Sequence, residues 1–215
     1  AIGRALAASP RLLLLDEPLA SLDLKRRAEM LPYLLAVQAQ LAIPALYVSH
    51  APEEVAQLAS HLVLLERGRV LASGPTAELM TRLDLPLAQG DTAQAVLNVV
   101  VLSHDPAAHL MRVGFAGGEL SLPAPSTPVG AHRTVRVPAR DVSLTLSRHA
   151  DTSILNIIEA TVQAIADDTP GHAMVKLDAG GAGLLARITR LSVQKLGLRP
   201  GLVVFAQIKG AAISI

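Results

Sequence analysis

Apolar positions along this chain fall into two textures. Up to about residue 83 they come in blocks that alternate between strand-like and helical spacing. RLLLL (11–15) is a short unbroken apolar run, which suits a strand covered on both faces of a parallel sheet. Ser21 through Leu41 keeps helical spacing, with Ser21 placed to cap the first turn and KRRAE on the exposed face. ALYVSH (45–50) predicts a second buried strand, and PEEVAQLAS (52–60) a helix whose first-turn acids meet the positive end of the macrodipole. HLVLLERGRVLASG (61–74) reads as a hairpin turning at Arg67-Gly68, and PTAELMTRL as a last helix with Pro75 near its start. AIGRALAA reads as a helix stopped before Pro10 and caught in mid-course, so the expectation is of a chain cut from a longer one. These elements describe part of an α/β domain with a largely parallel sheet.

From about residue 89 helical periodicity disappears. Short alternating runs take over, separated by Gly, Pro, Asn and Asp, and predict an all-β region of one or two small barrels. GFAGGEL (114–120) and DAGGAGL (178–184) lie between such runs and read as hairpin turns. Two related units, about 94–148 and 152–215, each run strand, hairpin, strand. The expected organisation is an α/β part over 1–88, a first β unit over 89–151 and a second over 152–215.

Composition narrows the chemistry. Aromatic residues are only 2% of the chain against 51% apolar, so the core is built from Leu, Val, Ile and Ala. Nineteen basic residues against 18 acidic ones give no electrostatic footprint for nucleic acid. The absence of cysteine excludes disulfides, thiolate metal sites and Cys nucleophiles. Residues 30–52 carry no Asp, Glu, Lys or Arg, but Gln38, Gln40, Pro44 and His50 interrupt the run, so a helix followed by a strand explains it and no direct membrane span is expected.

Two adjacent acids, Asp16 and Glu17, end the LLLL run. A parallel strand ends at the carboxyl edge of its sheet, where α/β proteins place ligands. There one acid can hold Mg²⁺, a hard cation that keeps several waters, while the other orients or deprotonates an attacking water. His50 ends the next strand. A lone histidine after an apolar strand is more often structural, and its place one strand on from the acids is what reverses that judgement. His61, His104, His109, His132, His149 and His172 have no such spacing and read as surface or structural residues.

LLLLDEPLASLD (12–23), followed by YVSH (47–50), resembles the ATP-binding-cassette (ABC) ATPases, and AIGRALAASP resembles the helix after that family's LSGGQ signature. The resemblance implies a partial P-loop ATPase domain of α/β class. It implies that Asp16 holds Mg²⁺ through water, that Glu17 is the general base, that Asp23 is the D-loop acid crossing a homodimer interface, and that His50 senses the γ-phosphate. No G-x-x-x-x-G-K-S/T occurs anywhere in the chain, so most phosphate contacts are missing and the 215 residues alone are expected to be inactive towards ATP.

RVPARDVSLTL (136–146) resembles the β extensions of importer ATPases. Ser153, Asn156, Ala186-Arg187-Ile188-Thr189, Leu196, Pro200-Gly201 and Ile208-Lys209 resemble the small OB-like, Mop-like (TOBE) domain that binds molybdate in some proteins. The order of parts resembles the ATP-binding subunit of molybdate importers. It implies an ATPase at the cytoplasmic face of the bacterial inner membrane, partnered by a transmembrane permease. Sulfate, sugar and polyamine importers carry similar extensions; a non-catalytic oxyanion-binding module and an ATPase of DNA metabolism are the other readings. Ser153, Thr189 and Lys209 match positions that contact an oxyanion such as molybdate or tungstate. Leu155 stands where oxyanion binders often have Arg, and Ala211 where they have Ser. Those losses remove bonds worth about 1.5–3 kcal/mol each where a charged group takes part, and favour a structural or dimer-forming role for 152–215.

Overall fold

The computed structural model describes residues 10–41, 43–123 and 127–214, and forms two compact units, Ala1–Ala59 and Ser60–Ile215. The helix expected over residues 1–8 lies outside the described residues.

In the first unit, β1 (Leu13–Asp16) leads through a turn to α1 (Leu24–Leu41), then to β2 (Ala45–Val48) and α2 (Pro52–Leu58). The two strands pair in parallel from Leu13 opposite Ala45 to Asp16 opposite Val48. Leu19, Leu31 and Leu34 form a small core, with Leu22, Tyr47 and Leu58 packed against it. Two expectations are corrected here. The helix begins at Leu24 rather than Ser21, because Asp23 caps it: its Oδ1 accepts the Arg26 N–H at 2.8 Å, satisfying a donor of the first turn. The strands are also not covered on both faces. Leu14 and Leu46 are 66% and 59% exposed, since this sheet has two strands and no second layer among the described residues. Among the described residues no helix is long and apolar enough to cross a membrane.

The second unit opens with the hairpin β3 (His61–Glu66) and β4 (Arg69–Pro75). Arg67 and Gly68 both take positive φ at its two-residue turn, the conformation that matches strand twist. The helix expected over residues 75–83 is a single turn, α3 (Thr76–Leu79). Leu79 and Leu85 cover the inner face of the hairpin.

Two runs that each open with a long strand and a hairpin follow. The first has β5 (Gln94–Asp105), the hairpin β6 (Leu110–Phe115) and β7 (Gly118–Pro123), then β8 (His132–Pro138), a 3-10 turn and β9 (Val142–Thr145). The second has β10 (Asn156–Asp167), the hairpin β11 (His172–Ala179) and β12 (Ala182–Thr189), α4 (Arg190–Leu196), β13 (Val203–Ile208) and another 3-10 turn. Sheet orders are β7-β6-β5-β8 and β12-β11-β10-β13-β9, so the first run's last strand completes the second run's sheet. Ser214 returns the exchange by bridging Arg136 of β8. One apolar core, from Ala95 to Ile213, fills both runs.

The two glycine-rich hairpin tips meet. A Cβ at Gly117 would lie 2.4 Å from the Ala179 carbonyl oxygen, and one at Gly180, which has φ +60, would lie 2.6 Å from that of Ala116. Only glycine lets the two backbones come this close.

Candidate functional site

Parallel pairing of β1 with β2 sets the site. The Glu17 N–H donates to the Val48 carbonyl at 2.9 Å, which extends the ladder one residue past Asp16 and turns the chain. Glu17 adopts φ +44, a left-handed conformation that costs a non-glycine residue about 1–2 kcal/mol. Its carboxylate Oε1 accepts from the His50 backbone N–H at 3.0 Å and lies 2.6 Å from His50 Nδ1. An ionised carboxylate can only accept, so Nδ1 is the donor of this bond. The imidazole is 78% exposed.

The Asp16 side chain is exposed at the end of β1, and its carboxylate has no hydrogen bond or ion pair among the described residues. Asp23 is committed locally through the Arg26 N–H, with the Arg26 guanidinium 3.7 Å from its other oxygen. Glu17 and His50 are therefore brought together and Asp16 adjoins them. Among the described residues no group of three or more His, Asp or Glu side chains could cage a metal. That donor set suits a cation that takes one carboxylate and fills its remaining positions with water and phosphate oxygens, the habit of Mg²⁺.

Behind the pair lies a cluster that helix patterning missed. Glu54, read from the sequence as a first-turn acid, is 3% exposed. Its Oε2 accepts from the Tyr47 hydroxyl at 2.6 Å and the Ser49 hydroxyl at 2.8 Å. Arg27 Nε lies 3.3 Å from Oε1, an ion pair without the alignment of a hydrogen bond. Burial, and then the bond to Glu54, push the Tyr47 hydroxyl up, so it stays a donor. The available signal was Tyr47 and Ser49, polar at alternate positions and so on one face of the strand.

The residues named for an oxyanion are not gathered. Ser153 and Lys209 flank the end of the sheet where Asn156 of β10 pairs with Ile208 of β13. Thr189 pairs with His172, which follows the other end of β10. Thr189 caps α4, its hydroxyl accepting the Ser192 N–H at 3.1 Å. Beside it, Arg187 is held by carboxylates: Nε donates to Asp168 at 2.5 Å, Nη1 to Asp91 at 2.6 Å, and Nη2 donates to the Thr169 hydroxyl at 2.7 Å. At the Ser153 end, Asn156 is buried and closes the β7 edge, its side chain bonding both the N–H and the carbonyl of Ser121.

A TOBE domain family matches residues 152–215. Over 99% of its length the chain is 62% identical to the molybdenum import ATP-binding protein ModC of Albidiferax ferrireducens, of which it covers 58%. It is 53% identical to the protein of that name from Pseudomonas aeruginosa, again over 99% of this chain and 60% of the relative. A solved structure of the cytoplasmic molybdate-binding protein ModG, with molybdate bound, superposes at a TM-score of 0.50. At 24% identity, over 55% of this chain and 92% of that one, it shows the β fold alone. The chain spans about three fifths of the length of these import proteins, is similar to them over nearly all of its own length, and over residues 152–215 matches the TOBE domain family.

Proposed function

We propose that this chain serves in the ATP-hydrolysing subunit that energises molybdate import by an ABC transporter. The observation that carries the reading is the Glu17 carboxylate 2.6 Å from His50 Nδ1 at the carboxyl edge of a parallel strand pair. Glu17 takes a proton from the attacking water, and the rigid left-handed turn fixes where it does so. In its imidazolium form His50 donates through both ring nitrogens, Nδ1–H to Glu17 and Nε2–H to a γ-phosphate oxygen. Asp16 would hold Mg²⁺, which when bound would neutralise phosphate charge. Asp23 ends the turn at the start of α1 and faces a second copy in a homodimer. A transmembrane permease anchors the assembly at the cytoplasmic face of the inner membrane.

Residues 152–215 act as a structural, dimer-forming domain. Supporting this are Leu155 and Ala211 at the two departures, the capping role of Thr189, and the carboxylates that already hold Arg187.

The test is molybdate uptake by a bacterium deprived of its own import ATP-binding protein. The 215 residues are joined behind the N-terminal segment of the Albidiferax ferrireducens relative that precedes the matched region. Restored uptake of molybdate, with none in the His50→Ala form, is expected. Restored uptake of sulfate but not molybdate would reassign the substrate, and full uptake with His50→Ala would remove the hydrolytic role.

A further inference from the structure

Glu54 is an expensive residue to bury. Taking a carboxylate out of water costs several kcal/mol, about what its partners return, so such clusters add little stability over apolar packing of the same volume. What this one fixes is direction. Its partners come from three places: Tyr47 in β2, Ser49 just before His50, and Arg27 one turn into α1. The Ser49 hydroxyl, while donating to Glu54, accepts the Ala51 N–H at 3.1 Å. His50 is thus bracketed by two residues tied to one buried carboxylate. The Arg27 N–H in turn donates to the Asp23 carbonyl at 2.9 Å, so the same group reaches the start of α1.

We propose that Glu54 is a positioning residue, whose buried carboxylate holds the Ser49–Ala51 turn so that His50 meets Glu17. The proposal rests on the reading of Glu17 and His50 as the hydrolytic pair. His50 is mostly exposed, and among the described residues its hydrogen bonds go to Glu17 alone. No packing around the ring therefore holds it, and its placement falls to the turn. Loss of Glu54 would release that turn without touching Glu17, Asp16 or a bound nucleotide.

Two measurements test this separately. The first uses the full 215-residue chain, labelled with ¹⁵N, and follows the His50 ring nitrogens by NMR. Glu17→Gln defines the shift that accompanies loss of the carboxylate partner. Glu54→Ala is expected to reproduce at least about half of that shift, with Glu17 intact. Ser49→Ala leaves Glu54 paired with Tyr47 and Arg27 and serves if Glu54→Ala does not fold; it is expected to move the resonance in the same direction. The second measurement is steady-state ATP turnover by the joined protein described above. Glu54→Ala is expected to lower kcat about tenfold while KM for ATP changes less than about twofold. A His50 resonance unmoved in both variants overturns the proposal whatever the turnover. Turnover that survives Glu17→Gln sinks the hydrolytic reading, and the NMR comparison then still judges Glu54.

Discussion

Removing the Arg187 guanidinium tests how the β unit is held together. Arg187→Met keeps the apolar stem but leaves Asp168, whose side chain is 2% exposed, without its cation. Breaking one side of a buried pair costs about 3–5 kcal/mol. The Gly90 N–H still donates to Asp168 at 2.7 Å, which favours the low end. The arm to Asp91, which is largely in solvent, adds no more than about 1 kcal/mol. The expected loss is therefore about 3 kcal/mol. Urea unfolding followed by circular dichroism would show it as a midpoint lowered by about 1.5 M, taking a slope of about 2 kcal/mol/M. Adding Asp168→Asn to Arg187→Met should recover part of the loss, because no unpaired charge is then buried. A loss below about 1 kcal/mol, or simple additivity of the two changes, would refute the argument. The pair also sets a pH dependence. Burial, the largest influence, pushes the Asp168 carboxyl up, but the Arg187 guanidinium and the Gly90 N–H outweigh it and hold it below the ordinary value. The unfolded chain thus binds more protons, so this stabilisation is fully present above about pH 4 and is lost as pH falls through the folded value below that. In Asp168→Asn the decline across that window should be shallower.

Other outcomes follow from the fold. Gly180→Ala should destabilise by about 2–4 kcal/mol through left-handed strain plus the clash with Ala116, whereas Gly181→Ala, also at positive φ but with nothing within 4 Å, should cost only about 1 kcal/mol; equal losses in thermal unfolding would remove the tip-to-tip contact from the account. Asn156→Ala should cost about 2 kcal/mol, since it leaves the Ser121 N–H and carbonyl without their partner, and proton exchange at Ser121 should quicken; an unchanged exchange rate would contradict this. Calorimetric titration with molybdate, tungstate and sulfate should show no micromolar binding to the chain, and such binding abolished by Lys209→Ala would overturn the structural role given to residues 152–215.

Much of this structure was legible because it is local. The LLLL run and the acids behind it predict a strand and its edge, and pairing with ALYV follows from the intervening helix. The turns at Arg67-Gly68, Ala116-Gly117 and Gly180-Gly181 fall where glycine permits a two-residue hairpin. What escaped the sequence depends on distant partners. The exchange of β9 for the segment at Ser214 joins positions some sixty or more residues apart, and alternating apolar residues say nothing about which edge a strand will complete. Arg187 and Asp91 are 96 positions apart, and neither charge stands out in a balanced sequence. Glu54 was hidden differently: an acid in a first helical turn is the ordinary exposed pattern, and only packing of the helix against Arg27 and Tyr47 makes it interior. The adjacency of Glu17 and His50 was legible in outline. The left-handed turn that aims the carboxylate was not, because nothing in Asp-Glu-Pro requires it.

The central claim is that Glu17 is the proton acceptor of a site whose phosphate-cradling loop these 215 residues do not contain. Magnesium-dependent single turnover of ATP by the joined protein tests it most directly, beside its Glu17→Gln form and the 215-residue chain alone. The account predicts turnover in the joined protein, ATP binding with turnover slowed at least about a hundredfold in Glu17→Gln, and neither in the chain alone. Turnover by Glu17→Gln at close to the wild-type rate, or Glu17-dependent turnover by the chain alone, would contradict it.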